Sequence, residues 1–161
     1  MSNHRQLPEH RTLYRIGDPS GEYPIFSPGG AMKVPGRWHD QGDRVIYAAE
    51  HYSTAMLEKL VHSSGVLPPN QHWIDIHVPA GVTYERVTGD VLPNWQDADC
   101  QVAQKFGHDW YSKKSSCLLF VPSVVARMEE NVIINTDHLD FTKLKPGLET
   151  PVPWDRRLFD R

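Results

Sequence analysis

The chain has 161 residues, with 17 Lys plus Arg against 20 Asp plus Glu (net charge −3), 39% hydrophobic residues and 10% aromatic residues, five of them Trp. At 18.4 kDa one hydrophobic core fits and two do not, and folding can bury roughly 70% of the unfolded chain's surface without metal or disulfide staples. Disorder is excluded by composition, and the acidic balance excludes a general nucleic-acid-binding surface while leaving room for a local basic pocket that takes one phosphorylated ligand.

Met1 to Arg11 is polar, with no apolar signal region, and apolar runs such as Cys117 to Val121 are far too short to span a bilayer. A cytoplasmic location without membrane contact is the default expectation. Thr12 to Ile16 reads as a short strand, and Gly17 to Gly36 as a long Gly/Pro-rich irregular loop of the kind that often carries function. That loop runs into Arg37 and Trp38. Val45 to Ala49 reads as a buried strand. Ser53 is the expected N-cap of a helix reaching about His62 and stopping before Gly65. Met56, Leu57, Leu60 and Val61 form its apolar stripe. At about 100° per residue, Glu58 falls roughly 130° from the centre of that stripe, off the main core face.

Trp73 to Val78 alternates Trp73, Asp75 and His77 with Ile74, Ile76 and Val78, the period of a half-buried strand ended by Pro79. Val102, Ala103, Phe106 and Trp110 recur at helical spacing within Asp97 to Tyr111, interrupted by Gly107. Cys117 to Val121 and Val132 to Ile134 read as buried strands, the first stopped by Pro122 and the second ending at Asn135. The Pro-containing tail after Asp140 has no clear assignment. Strands and helices mix without regular βαβ alternation, so the expected class is α+β in a single domain spanning residues 1–161, its core at about 13–140 and the tail 141–161 packed on it.

The chain lacks both Gly-rich phosphate signatures, G-x-G-x-x-G and G-x-x-x-x-G-K-[ST]. No H-E-x-x-H occurs, and His72 and His77 would point to opposite faces of one strand, so no metal site is expected. Cys100 and Cys117 are isolated and read as reduced, packed thiols. Ser123 lies outside any G-x-S-x-G elbow. What remains is a set of polar residues in or at the ends of apolar elements: Arg15, Arg37, Tyr47, Glu58, Ser123 and Asn135. Each has a bland explanation. Arg37 beside Trp38 suits a stacked surface Arg, Tyr47 a core position, Glu58 a solvated helix face, Ser123 a strand exit and Asn135 a turn.

Taken together, Gly36-Arg37-Trp38, Val45 to Ala49, Ala55 to His62, Leu118 to Ser123, Asn131 to His138 and the opening Leu13 to Ile16 occur in the order of the RES domain, the toxin half of bacterial RES/Xre toxin–antitoxin pairs, which this sequence resembles from about Leu13 to Asp140. The Arg, Glu and Ser of the family name match Arg37, Glu58 and Ser123. Thr136 departs from the Pro usual there, which bears on the local turn. The resemblance implies a fold related to the diphtheria-toxin type of ADP-ribosyltransferase. It also implies an enzyme that consumes NAD as substrate, with no further cofactor, by cleaving the nicotinamide–ribose bond. The outcome would be hydrolysis or phosphorolysis; transfer to a protein, or a non-catalytic partner-binding module, is the alternative.

The same resemblance implies that Arg37 and Arg15 clamp the pyrophosphate, and that Tyr47 stacks on the nicotinamide and orients it through its hydroxyl. Glu58 would accept from the ribose 2′-hydroxyl and stabilise the oxocarbenium-like centre, with Ser123 and Asn135 completing the hydrogen-bond network. The implied partner is an Xre-type helix-turn-helix antitoxin; a homodimer is left open.

Overall fold

The computed structural model describes residues 4–160; Met1–Asn3, where the polar N-terminal stretch begins, and Arg161 lie outside the described residues. In chain order the elements are β1 (Arg5–Gln6), β2 (Arg11–Gly17), α1 (Gly29–Lys33), β3 (Val45–Ala49), α2 (Tyr52–Val61), β4 (His72–Val78), β5 (Thr83–Arg86), α3 (Gln101–Lys113), β6 (Leu118–Pro122), β7 (Glu130–Asn135), β8 (Lys145–Pro146) and β9 (Thr150–Pro151). The strands form one sheet in the order β1-β5-β6-β7-β3-β2-β4-β8, with β9 also pairing β4. Neighbours are antiparallel except the parallel pair β5–β6. The class is α+β, as the element order implied.

Period-two alternation divides the central strands between two cores. Ile46, Ala48, Leu118, Phe120, Val132 and Ile134 face one cluster with Leu13, Ile74, Ile76 and Val78. Val45, Leu119, Val121 and Ile133 face the other, covered by Trp38, Trp95, Ala103 and Trp110. Tyr47, Asn131 and Asn135 share the parity of Val45 and Ile133, so they project on this second side. Gly107, which interrupts the helix pattern in the sequence, is where α3 meets the Trp38 backbone: a Cβ there would overlap the Trp38 carbonyl oxygen. The residue with the poorest helix propensity is the one that allows close approach.

Three local expectations are corrected and the unassigned tail gains its elements. Helix α2 starts after His51, not Ser53, and His51 makes no side-chain capping bond. The Gly17–Gly36 loop contains α1. The tail adds β8 and β9 to the β4 edge and buries Leu144 and Val152. The apolar stripe of α2 is not its packed face: Thr54 and Ala55 are buried, while Leu57 and Val61 are 42% and 56% exposed. At about 100° per residue, with Thr54 at zero, Ala55 lies at about 100° and Glu58 at about 40°, between the two. Small side chains let the helix sit close on the sheet, and Glu58 is carried in with them. Thr136 uses its backbone N–H to bond the Arg44 carbonyl, a bond that proline could not make.

Candidate active site

A cavity of about 640 Å3 opens between α2, β2, β3, β7 and the loop before β3. Its wall includes Arg15, Arg37, Tyr47, Glu58, Lys59 and Asn131. Three of these are Arg or Lys and one is a carboxylate, in a chain whose net charge is −3.

Glu58 is held on one oxygen. Its Oε1 accepts from Ser123 Oγ at 2.7 Å and from Asn131 Nδ2 at 2.9 Å, and no donor among the described residues bonds Oε2. Ser123 is fully buried, and its Oγ also accepts from the Ala126 N–H at 3.1 Å. The hydroxyl is thus fixed in both roles and acts on the carboxylate; it is not poised as a nucleophile. The Asn131 amide is oriented by Glu58, because the carboxylate needs a donor; its Oδ1 is shielded from solvent and has no hydrogen-bond partner.

Across the cavity, Tyr47 pins the Arg37 loop. The Trp38 N–H donates to Tyr47 Oη at 3.1 Å, and His39 Nδ1 lies 2.6 Å from the same oxygen. His39 Nε2 lies 2.9 Å from the carbonyls of both Ala31 and Val34, so Nε2 carries the proton and Nδ1 accepts from the tyrosine hydroxyl. Burial pushes the Tyr47 pKa up. A Cβ at Gly36 would meet His39 and the Tyr47 hydroxyl at under 3 Å, so the tight packing requires glycine. Arg37 NH1 donates to the Trp95 and Asp97 carbonyls at 3.0 Å each, which leaves the rest of its fork for a ligand. Arg15 is more committed: Nε donates to the Ile25 carbonyl at 2.7 Å and NH1 to the Tyr47 carbonyl at 2.8 Å. Burial lowers its pKa to about 10.

The structure therefore brings Arg15, Arg37, Tyr47 and Glu58 to one cavity, with Ser123 directly behind Glu58. Asn135 is not with them. It is fully buried at the far end of β7, its Nδ2 donating to the Tyr111 carbonyl at 3.0 Å and its Oδ1 accepting from the Asp137 N–H at 3.0 Å. Tyr47 is corrected in part, since its hydroxyl is already engaged with the Trp38 N–H and His39 Nδ1 within the protein. The two thiols also differ. Cys117 is buried, with its pKa raised to about 12 by desolvation, whereas Cys100 is half-buried, adopts a left-handed conformation (φ 60°) at the start of α3 and lines the cavity. Sequence reasoning missed Asn131, Lys59 and His39. The parity of β7 places Asn131 on the same face as Tyr47; nothing in the local pattern marks the other two.

Comparison with known proteins shows the family and the fold. The family model for the RES domain matches residues 12–155. The chain belongs to the RES domain family, the toxin side of toxin–antitoxin pairs. It is 38% identical over 141 residues to the Prs ADP-ribosylating toxin of Sphingobium sp. (strain YBL2), covering 83% of this chain and 88% of that protein. It is 31% identical over 150 residues to Toxin Res of Pseudomonas putida, covering 91% and 99%. The toxin–antitoxin complex MbcT–MbcA of M. tuberculosis contains a chain of the same fold, with TM-score 0.70 and 15% identity over 96% of this chain and 89% of that one. No helix among the described residues is long and apolar enough to cross a membrane.

Proposed function

We propose that this RES toxin cleaves the nicotinamide–ribose bond of NAD and thereby drains the cell's NAD, with water or phosphate as acceptor. The observation that carries the reading is the pairing, in one cavity, of a carboxylate with one free oxygen and a wall of three cationic side chains. NAD has the complementary parts: an anionic pyrophosphate and a ribose that becomes cationic as its glycosidic bond breaks. In the reaction the C1′–N bond breaks with its electron pair going to nicotinamide, which leaves neutral, and the acceptor oxygen then bonds C1′ and releases its proton. Glu58 Oε2 is the negative charge available to the developing oxocarbenium, held beforehand by two donors on Oε1, so little reorganisation is needed when charge appears. The free edge of Arg37 would take pyrophosphate oxygens, and the Tyr47 ring would offer a flat face to the nicotinamide.

A second reading, transfer of ADP-ribose to a protein, is favoured by the name of the Sphingobium relative. The tuberculosis neighbour is a toxin–antitoxin complex, and this chain would likewise pair with a cognate antitoxin, here of the Xre helix-turn-helix type, that silences it. The test is to incubate purified protein with NAD, with and without inorganic phosphate and with a bacterial extract, and to identify products by mass spectrometry. ADP-ribose or ADP-ribose 1″-phosphate supports NAD depletion, modified protein supports transfer, and intact NAD in every arm overturns both.

A further inference from the structure

Arg15 and Lys59 occupy one wall of the cavity. The Arg15 guanidinium is enclosed, and its two bonded nitrogens go to neutral carbonyls, so its charge is met by no carboxylate among the described residues. Lys59 is half-buried beside it and forms no ion pair or hydrogen bond among the described residues. The carboxylate whose field reaches Lys59 is Asp18, which is exposed and occupied with the Ser20 N–H and Asn70. Burial first, and the Arg15 charge second, hold the Lys59 ammonium below the usual lysine range. Two like charges at a partly dry wall oppose each other, and an anion entering the cavity relieves both.

We propose that Lys59 is a ligand-binding residue whose ammonium contacts a phosphate oxyanion, so that it selects a phosphorylated nucleoside ligand over its unphosphorylated parts. The proposal rests on the NAD reading for its ligand and assigns Lys59 the contact that Arg15, spent on two carbonyls, is poorly placed to supply. Adjacent helix positions separate Glu58 and Lys59 by about 100° around α2, so one short segment presents a carboxylate and an ammonium to the same cavity. A lysine suits this contact, because a compact charge with three donors on a flexible stem can follow a tetrahedral oxyanion without a fixed fork. The bland alternative is a stem lying over apolar surface with its head in water, and it predicts no dependence on ligand phosphate.

Calorimetric titration of the full chain with ADP-ribose and with inorganic phosphate, compared between wild type, Lys59→Met and Lys59→Arg, tests the proposal, together with NAD kinetics and product inhibition by nicotinamide. ADP-ribose binding is expected to weaken about tenfold or more in Lys59→Met, in keeping with loss of a charge-assisted hydrogen bond. It should recover to within about threefold of wild type in Lys59→Arg, which restores the charge. The change should be carried by KM for NAD, with inhibition by nicotinamide, which has no phosphate, left as in wild type. A loss confined to inorganic phosphate supports the oxyanion contact and makes it the acceptor's. Unchanged affinity for both phosphorylated ligands, or an equal loss toward nicotinamide, overturns it. Lys59-dependent binding of ADP-ribose by a wild type that consumes no NAD would refute the proposed reaction and leave the oxyanion contact standing.

Discussion

The two ends of β7 each carry an asparagine on the same face of the sheet, about 13 Å apart along the strand, and they do different work. Asn131 meets Glu58 at the cavity. Asn135 meets the last turn of α3 and closes its own turn through the Asp137 N–H. Residue type and parity are identical, so the difference comes from what stands opposite. α2 brings a carboxylate over one end, whereas α3 brings a backbone carbonyl over the other. The cavity end keeps acceptor capacity unspent, on Glu58 Oε2 and Asn131 Oδ1; at the α3 end the asparagine amide is satisfied within the chain. A site needs such unspent groups, and an anchor has none to spare.

The sharpest break of this contrast is Glu58→Gln. The amide oxygen can still accept from Ser123 and Asn131, so the fold is expected to be unchanged by circular dichroism. Loss of the charge should lower NAD turnover about a hundredfold or more, as removal of a preorganised electrostatic group does. Near-normal turnover by the folded variant would place the reaction elsewhere.

A smaller effect is expected from Asn131→Ala, which leaves Ser123 as the sole donor to Oε1 and should lower kcat about tenfold. Asn131→Asp sharpens the point. A second carboxylate beside Glu58 raises one of the two pKa values, so the acidic limb of the rate profile should move to higher pH, with activity lost first at low pH. A pH profile unchanged from wild type would show that residue 131 does not act through Glu58.

Asn135→Ala should read out in stability. It leaves the half-buried Asp137 N–H without its acceptor and the Tyr111 carbonyl with the Lys114 N–H alone, at a cost of about 1–3 kcal/mol, seen as a lower Tm with turnover per folded molecule retained. A kinetic defect without loss of Tm would return Asn135 to the site.

The smallest effect concerns the other fastening of α3. His108 Nδ1 lies 2.9 Å from the buried Asp43, which raises the His108 pKa above 6.5. Stability from this pair is fully present below pH 6.5 and is lost as pH rises through the raised value in the folded state. Tm should therefore decline over that window in wild type and stay flat in His108→Gln. The His108 side chain is 43% exposed, so the slope should be shallow.

β4 is legible in the sequence because a half-buried strand repeats its apolar residues at period two, and β3, β6 and β7 because strands buried on both faces read as short unbroken apolar runs, constraints within a few neighbouring positions. Arg37, Tyr47, Glu58 and Ser123 stand out for a related reason, as polar groups set into apolar elements and matched to a family pattern. Tertiary structure alone decided which face of α2 turns inward. The apolar moment points to Met56, Leu57, Leu60 and Val61, but the close approach allowed by Thr54 and Ala55 turned Glu58 toward Ser123 and Asn131. It likewise chose Asn131 over Asn135 and spent the Tyr47 hydroxyl on Trp38 and His39, because a hydrogen bond depends on the partner that folding brings within about 3 Å, and local periodicity holds no record of partners tens of residues away.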